Sequence, residues 1–118
     1  MEALDLLLNR VSVTRLTDPA PTPAQLDVMF RAALRAPDHG QLRPWRFLTV
    51  QGEAREQLGK LMAESLRVRS PEASDDAVLK ARKMPLRAPL LVVVIARVQP
   101  HAKVPGSEQV LAVSCAAH

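Results

Sequence analysis

Hydrophobic positions along the chain change period several times, and each period predicts an element. In ALDLLLN, Leu4, Leu7 and Leu8 share one face of a short helix over about residues 2–9. RVSVTRL carries no helical stripe and is expected as an extended connector. TPAQLDVMFRAALRA returns to helical spacing, with Leu26, Met29, Phe30, Ala33 and Leu34 at i, i+3, i+4, i+7 and i+8. Thr22 and Gln25 form a capping box, Pro23 takes the first helical position, and Pro37 stops the helix near Arg35. WRFLTV, over 45–50, is short, bounded and rich in aromatic and β-branched residues, as a strand is, and Gly52 punctuates it. Leu58, Leu61, Met62 and Leu66 then mark a helix over about 53–67. Ser70-Pro71-Glu72 reads as the start of a further helix reaching about Lys83.

LLVVVIAR is apolar at nearly every position, which predicts a strand buried on both faces with helices on either side. GSEQVLAVSCAAH predicts a last helix with Ser107 as N-cap, and with Val110, Leu111, Ser114 and Cys115 on a small-residue face. Two strands are few for a sheet with a doubly buried member. The pattern is therefore expected to be the N-terminal part of a larger α+β fold, cut after its second strand and the start of a long helix.

Length and composition narrow the class. One domain over 1–118 is expected from 118 residues of which 47% are apolar. Sixteen Lys and Arg against twelve Asp and Glu give +4, which favours anionic partners. The cations are dispersed among acids and the only aromatics are Phe30, Trp45 and Phe47, so a base-stacking nucleic-acid surface is disfavoured. A single cysteine excludes a disulfide within the chain and a thiolate cluster, and the three histidines show no ligand spacing, so no metal is expected. The start lacks a cationic signal-peptide region, and the longest apolar run, LLVVVIA, falls far short of the roughly 20 residues of a membrane span. A cytoplasmic protein without membrane contact is the expectation.

Two stretches have side chains suited to chemistry. Arg10-Val11-Ser12-Val13-Thr14-Arg15 offers guanidinium groups, hydroxyls and free amides that can grip a phosphate. The same residues also suit an ordinary solvated connector. The second stretch, RAPDHGQLRPWRF over 35–47, packs arginines, Asp38 and His39 between helix and strand. Arg35 has a sufficient reason to stand there as a cation at a helix C-terminus, and Asp38 and His39 as turn residues. Neither a GxGxxG nor a P-loop pattern occurs, so a nucleotide-like cofactor would be held by arginines and hydroxyls on connectors.

These motifs together resemble the FMN-dependent nitroreductase family, and most closely its minimal NAD(P)H nitroreductase branch. Arg10-Val11-Ser12 matches the family's Arg-x-Ser element after its first helix. Ala36-Pro37 through Pro44-Trp45-Arg46-Phe47 matches its Ala-Pro…Pro-Trp-x-Phe element. The match runs from ALDLLLNR to VLAVSCAA. Val11 stands where a basic side chain is common, and Gln41 and Arg43 replace the more usual Asn and Gln.

The resemblance implies helices packed around a central sheet, a homodimer, and FMN in a groove between subunits. It assigns Arg10 and Ser12 to the ribityl phosphate, Val11 to a main-chain contact, and Arg35 and His39 to the flavin ring. It implies electron transfer from NAD(P)H through the flavin to a small nitroaromatic or quinone acceptor, with no catalytic protein residue. The alternative is a non-enzymatic dimerising module that keeps the helices and binds no flavin.

Overall fold

The structure is a computed structural model describing residues 2–118. In chain order it contains α1 (Ala3–Asn9), α2 (Pro23–Ala33), a 3-10 turn at His39–Gln41, β1 (Trp45–Gln51), α3 (Glu53–Arg69), α4 (Asp75–Lys83), a second 3-10 turn at Met84–Arg87, β2 (Leu90–Ala96) and α5 (Gly106–Ala117). The architecture is α+β, as expected from the sequence.

The two strands pair antiparallel along their whole length, from Trp45 opposite Ala96 to Gln51 opposite Leu90. One further bond, Arg97 N–H to the Pro44 carbonyl at 2.6 Å, continues the pairing beyond the ladder. α2 lies on one face, where the rings of Phe30 and Phe47 sit 5.4 Å apart and tilted by 41°, a favourable aromatic geometry. α5 contacts both α2 and β2, and α3 contacts β1. The expected double burial of β2 is not found. Its residues are half-buried, with Val93 and Ala96 exposed, because the described helices cover the sheet only in part. An all-apolar strand reports what its faces tolerate, not what lies over them.

The capping box of α2 is present as read: the Gln25 amide donates to Thr22 Oγ1 and the Thr22 amide donates to Gln25 Oε1 at 2.8 Å. α4 begins later than expected. α3 runs on to Arg69, and Ser70 closes it by donating its amide to the Leu66 carbonyl. Ser74, whose Oγ accepts the Ala77 amide, becomes the true N-cap of α4. α5 also starts earlier than expected, since the Glu108 and Gln109 amides already bond to the Pro105 carbonyl. Ser107 therefore lies inside the first turn and makes no capping bond.

α3 and α4 cross closely at Gly59, where an added Cβ would lie 2.1 Å from the Arg82 carbonyl oxygen. Ala63 and Val78 are buried along the same seam. Elsewhere the core is thin. The radius of gyration is 17.3 Å, against about 13.5 Å for a compact chain of this length. α1 buries none of its residues, and Leu4, Leu7 and Leu8 are each at least 70% exposed.

Gly59→Ala is expected to destabilise the protein by about 1–3 kcal/mol, since a methyl group would be forced into backbone. A glycine replaced by alanine inside a helix ordinarily gains close to 1 kcal/mol. A thermal or urea melt reads the sign directly, and a raised melting point would contradict the close crossing.

Candidate functional site

The segment between α2 and β1 is built by short-range bonds and a long-range pair. Asp38 closes the loop upon itself: its carbonyl accepts the Gln41 amide and its Oδ2 accepts the Arg43 amide at 2.7 Å. Three residues in the loop have positive φ, namely Gly40 at 74°, Gln41 at 51° and Arg43 at 47°. The space beside Gly40 is also tight, as an added Cβ would be 3.2 Å from Val104 Cγ2. Pro44 is fully buried and delivers the chain into β1.

This folding sets Arg35, Asp38, Gln41, Arg43 and Trp45 around an open, polar groove of about 340 Å³. Arg35 lies just beyond α2, its amide bonded to the Ala32 carbonyl. His39 does not line this groove. Its Nδ1 lies 2.5 Å from Glu108 Oε2, on the first turn of α5, and both side chains remain about half exposed.

Glu108 is held in place by its neighbour. Gln109 is only 2% exposed, and its side-chain amide is fully engaged. Oε1 accepts the Gln99 amide at 2.9 Å, and Nε2 donates to the carbonyls of Gln99 and Val104. One side chain thus pins the segment between β2 and α5, and with it Val104 against the 39–41 turn.

The connector after α1 is extended and exposed. Arg10 Nη1 donates to Ser12 Oγ at 3.1 Å, so these two candidate phosphate ligands share one spot, and Val11 exposes an apolar side chain beside them. No hydrogen bond or ion pair among the described residues joins this connector to Arg35 or His39. Further along, the Leu16 amide donates to the Arg87 carbonyl, which fastens the connector to the second 3-10 turn. There Thr14, Arg15, Lys83, Leu86 and Arg87 line an open groove of about 640 Å³. Its three cations take part in no ion pair among the described residues. Neighbouring Lys80, by contrast, is held above the ordinary lysine pKa by the hydrogen bond and charge of Asp76.

Sequence reading did not single out Glu108, Lys83 or Arg87. No local signal marks them, because each meets its groove through contacts between segments far apart in the chain. The stretch 107–116 needs one correction. A dimer face of Ala112, Cys115 and Ala116 is expected from their small size, but Ala112 and Ala116 are buried within the chain, and of the three only Cys115 is exposed, beside Val110, Leu111 and Ser114. Among the described residues, no cluster of three or more His, Cys, Asp or Glu is placed to hold a metal ion, and no helix is long and apolar enough to cross a membrane.

Helices on an antiparallel strand pair, with arginine-bearing loops at their ends, place the fold among the nitroreductase-like α+β structures. It superposes on a nitroreductase-like family protein from Bacillus cereus with a TM-score of 0.76 at 22% identity, covering 99% of this chain and 60% of that one. A BluB-like flavoprotein from Clostridium difficile gives 0.68 at 18% identity, covering 99% and 66%. Residues 7–118 match the model of the nitroreductase family, and the chain belongs to that family. It is 42% identical over 116 residues to an Escherichia coli protein named "Putative NAD(P)H nitroreductase YdjA", covering 98% of this chain and 62% of that protein. A Haemophilus influenzae protein of similar name is 40% identical over 119 residues, covering all of this chain and 64% of its own length. The chain thus spans a little over three fifths of these relatives.

Replacing Gln109 with leucine keeps the volume but strips partners from the Gln99 amide and from two carbonyls. A loss on the order of 1–3 kcal/mol is expected from orphaning the buried Val104 carbonyl and the part-buried groups of Gln99. Faster amide exchange at Gln99 would accompany it, and unchanged exchange there would show that the side chain does not pin the segment.

Proposed function

We propose that this chain carries part of the flavin site of an oxidoreductase that uses FMN to pass electrons from NAD(P)H to a small nitroaromatic or quinone-like acceptor. Membership of the nitroreductase family, together with relatives named as NAD(P)H nitroreductases, supports the reaction class. The single observation that carries the site is the pairing of Arg10 with Ser12 on an exposed, extended connector.

That donor set fits a phosphate monoester. A guanidinium supplies charge and forked donors, a hydroxyl supplies a neutral donor, and the extended backbone at Val11 leaves its amide available. Arg35 and His39 suit the polar edge of the ring system. A guanidinium there favours added negative charge on the ring and is the protein's means of tuning it. Bound FMN would supply the two-electron chemistry, while the chain's own residues bind, orient and set the local charge. No acid, base or nucleophile of the protein is assigned a step.

Arg10 and Ser12 make no bond to the Arg35 and His39 loop within one chain, which suits a groove completed by a second copy. A homodimer is part of this reading. The uncovered apolar stripe of α1 and the outward Val110 and Leu111 of α5 are surfaces such a partner would cover.

The protein purified with FMN is expected to be yellow, with visible flavin absorbance. Arg10→Ala is expected to weaken FMN binding by roughly 1.5–3 kcal/mol, the scale of a hydrogen bond to a charged group, measured by titrating flavin fluorescence. Wild-type affinity in that variant would remove the phosphate assignment. A colourless protein that sediments as a dimer and binds no FMN would favour the non-enzymatic dimerising module instead. Arg35→Ala is expected to shift the flavin spectrum or midpoint potential with little change in melting temperature.

A further inference from the structure

We infer that Glu108 is a positioning residue for His39, fixing which ring nitrogen meets the ligand. The inference rests on the reading that places His39 at the flavin ring. The Glu108 carboxylate can only accept a hydrogen bond, so the imidazole nitrogen facing it at 2.5 Å must carry the proton. In the neutral ring, Nδ1 is then the donor and Nε2 bears a lone pair. Nε2 makes no hydrogen bond among the described residues, and the His39 side chain is 58% exposed, so this nitrogen is free to meet a ligand.

Without Glu108 the imidazole could rotate and change tautomer, and Nε2 would no longer be held in one orientation toward a ligand.

The arrangement is rigid for reasons independent of any ligand. Glu108 lies in the first turn of a twelve-residue helix. Gln109 anchors that turn from beneath, and the packing of Gly40 against Val104 holds the histidine's own turn.

Two measurements test the idea. Nitrogen-15 NMR of the protein without flavin, under alkaline conditions that leave the imidazole neutral, is expected to show His39 with protonated Nδ1 and bare Nε2. Glu108→Ala is expected to return the ring to a mixture in which the Nε2–H form is prominent. An unchanged tautomer in the variant overturns the inference. A merely structural role for Glu108 would lower the melting temperature without moving these signals.

The second measurement is a cycle of FMN affinities over wild type, His39→Ala, Glu108→Ala and the double variant. Glu108→Ala is expected to weaken binding several-fold in the wild-type background and to have no further effect once His39 is gone. Equal losses in both backgrounds would mean that Glu108 acts on the ligand itself, and would overturn the inference. If wild-type protein binds no FMN, the flavin reading fails, while the tautomer measurement still decides whether Glu108 sets the ring.

Discussion

One buried amide organises the candidate site. Gln109 makes three hydrogen bonds with its side chain, all to the backbone of the segment between β2 and α5. Burying a polar side chain is costly unless every group is satisfied, and here each is. The same bonds satisfy backbone groups that the irregular segment could not pair by itself. The start of α5, the position of Val104 and the height of the 39–41 turn all depend on it. A leucine would fill the same volume and leave that segment without a template.

Around this anchor the polar groups fall into separate sets. Arg10 and Ser12 belong to a connector with little beneath it. Arg35 and Arg43 belong to a groove shaped by the loop's own bonds. His39 belongs to α5 through Glu108, and the three cations Arg15, Lys83 and Arg87 belong to the edge where the connector meets the second 3-10 turn. Positive charge is thus presented at several open grooves rather than gathered in one pocket, and the apolar core beneath is shallow. Open surfaces of this kind suit the proposed sharing of a flavin site between two copies.

What the sequence made legible divides along the range of the forces involved. The Thr22–Gln25 box, the span of β1 and the span of β2 are set by neighbours within four residues or by composition, and they could be read directly. Ser70 and Ser74 are both plausible caps. The choice fell to Ser74 because α3 continued to Arg69, a matter of helix competition rather than of residue type. Burial of β2 was overestimated because an apolar strand carries no information about which helices cover it. Arg10, Ser12, Arg35 and His39 enter the proposed site through motif resemblance alone, since connector and turn chemistry accounts for each of them equally well. Glu108 was not legible, since it meets His39 across 69 positions, and a lone glutamate in the first turn of a helix is already explained by the helix dipole.

The left-handed residues at Gln41 and Arg43 have an energetic meaning of their own. Side-chain-bearing residues pay about 1–2 kcal/mol each for that conformation, and within this loop glycine, which would pay far less, stands only at position 40. Part of the fold's stability is thereby held as tension between α2 and β1, restrained by the Asp38 carboxylate. A glycine at 41 would slacken it, making a sturdier chain with a freer loop. Natural selection for a groove of fixed shape and laboratory selection for heat resistance would therefore pull this position in opposite directions.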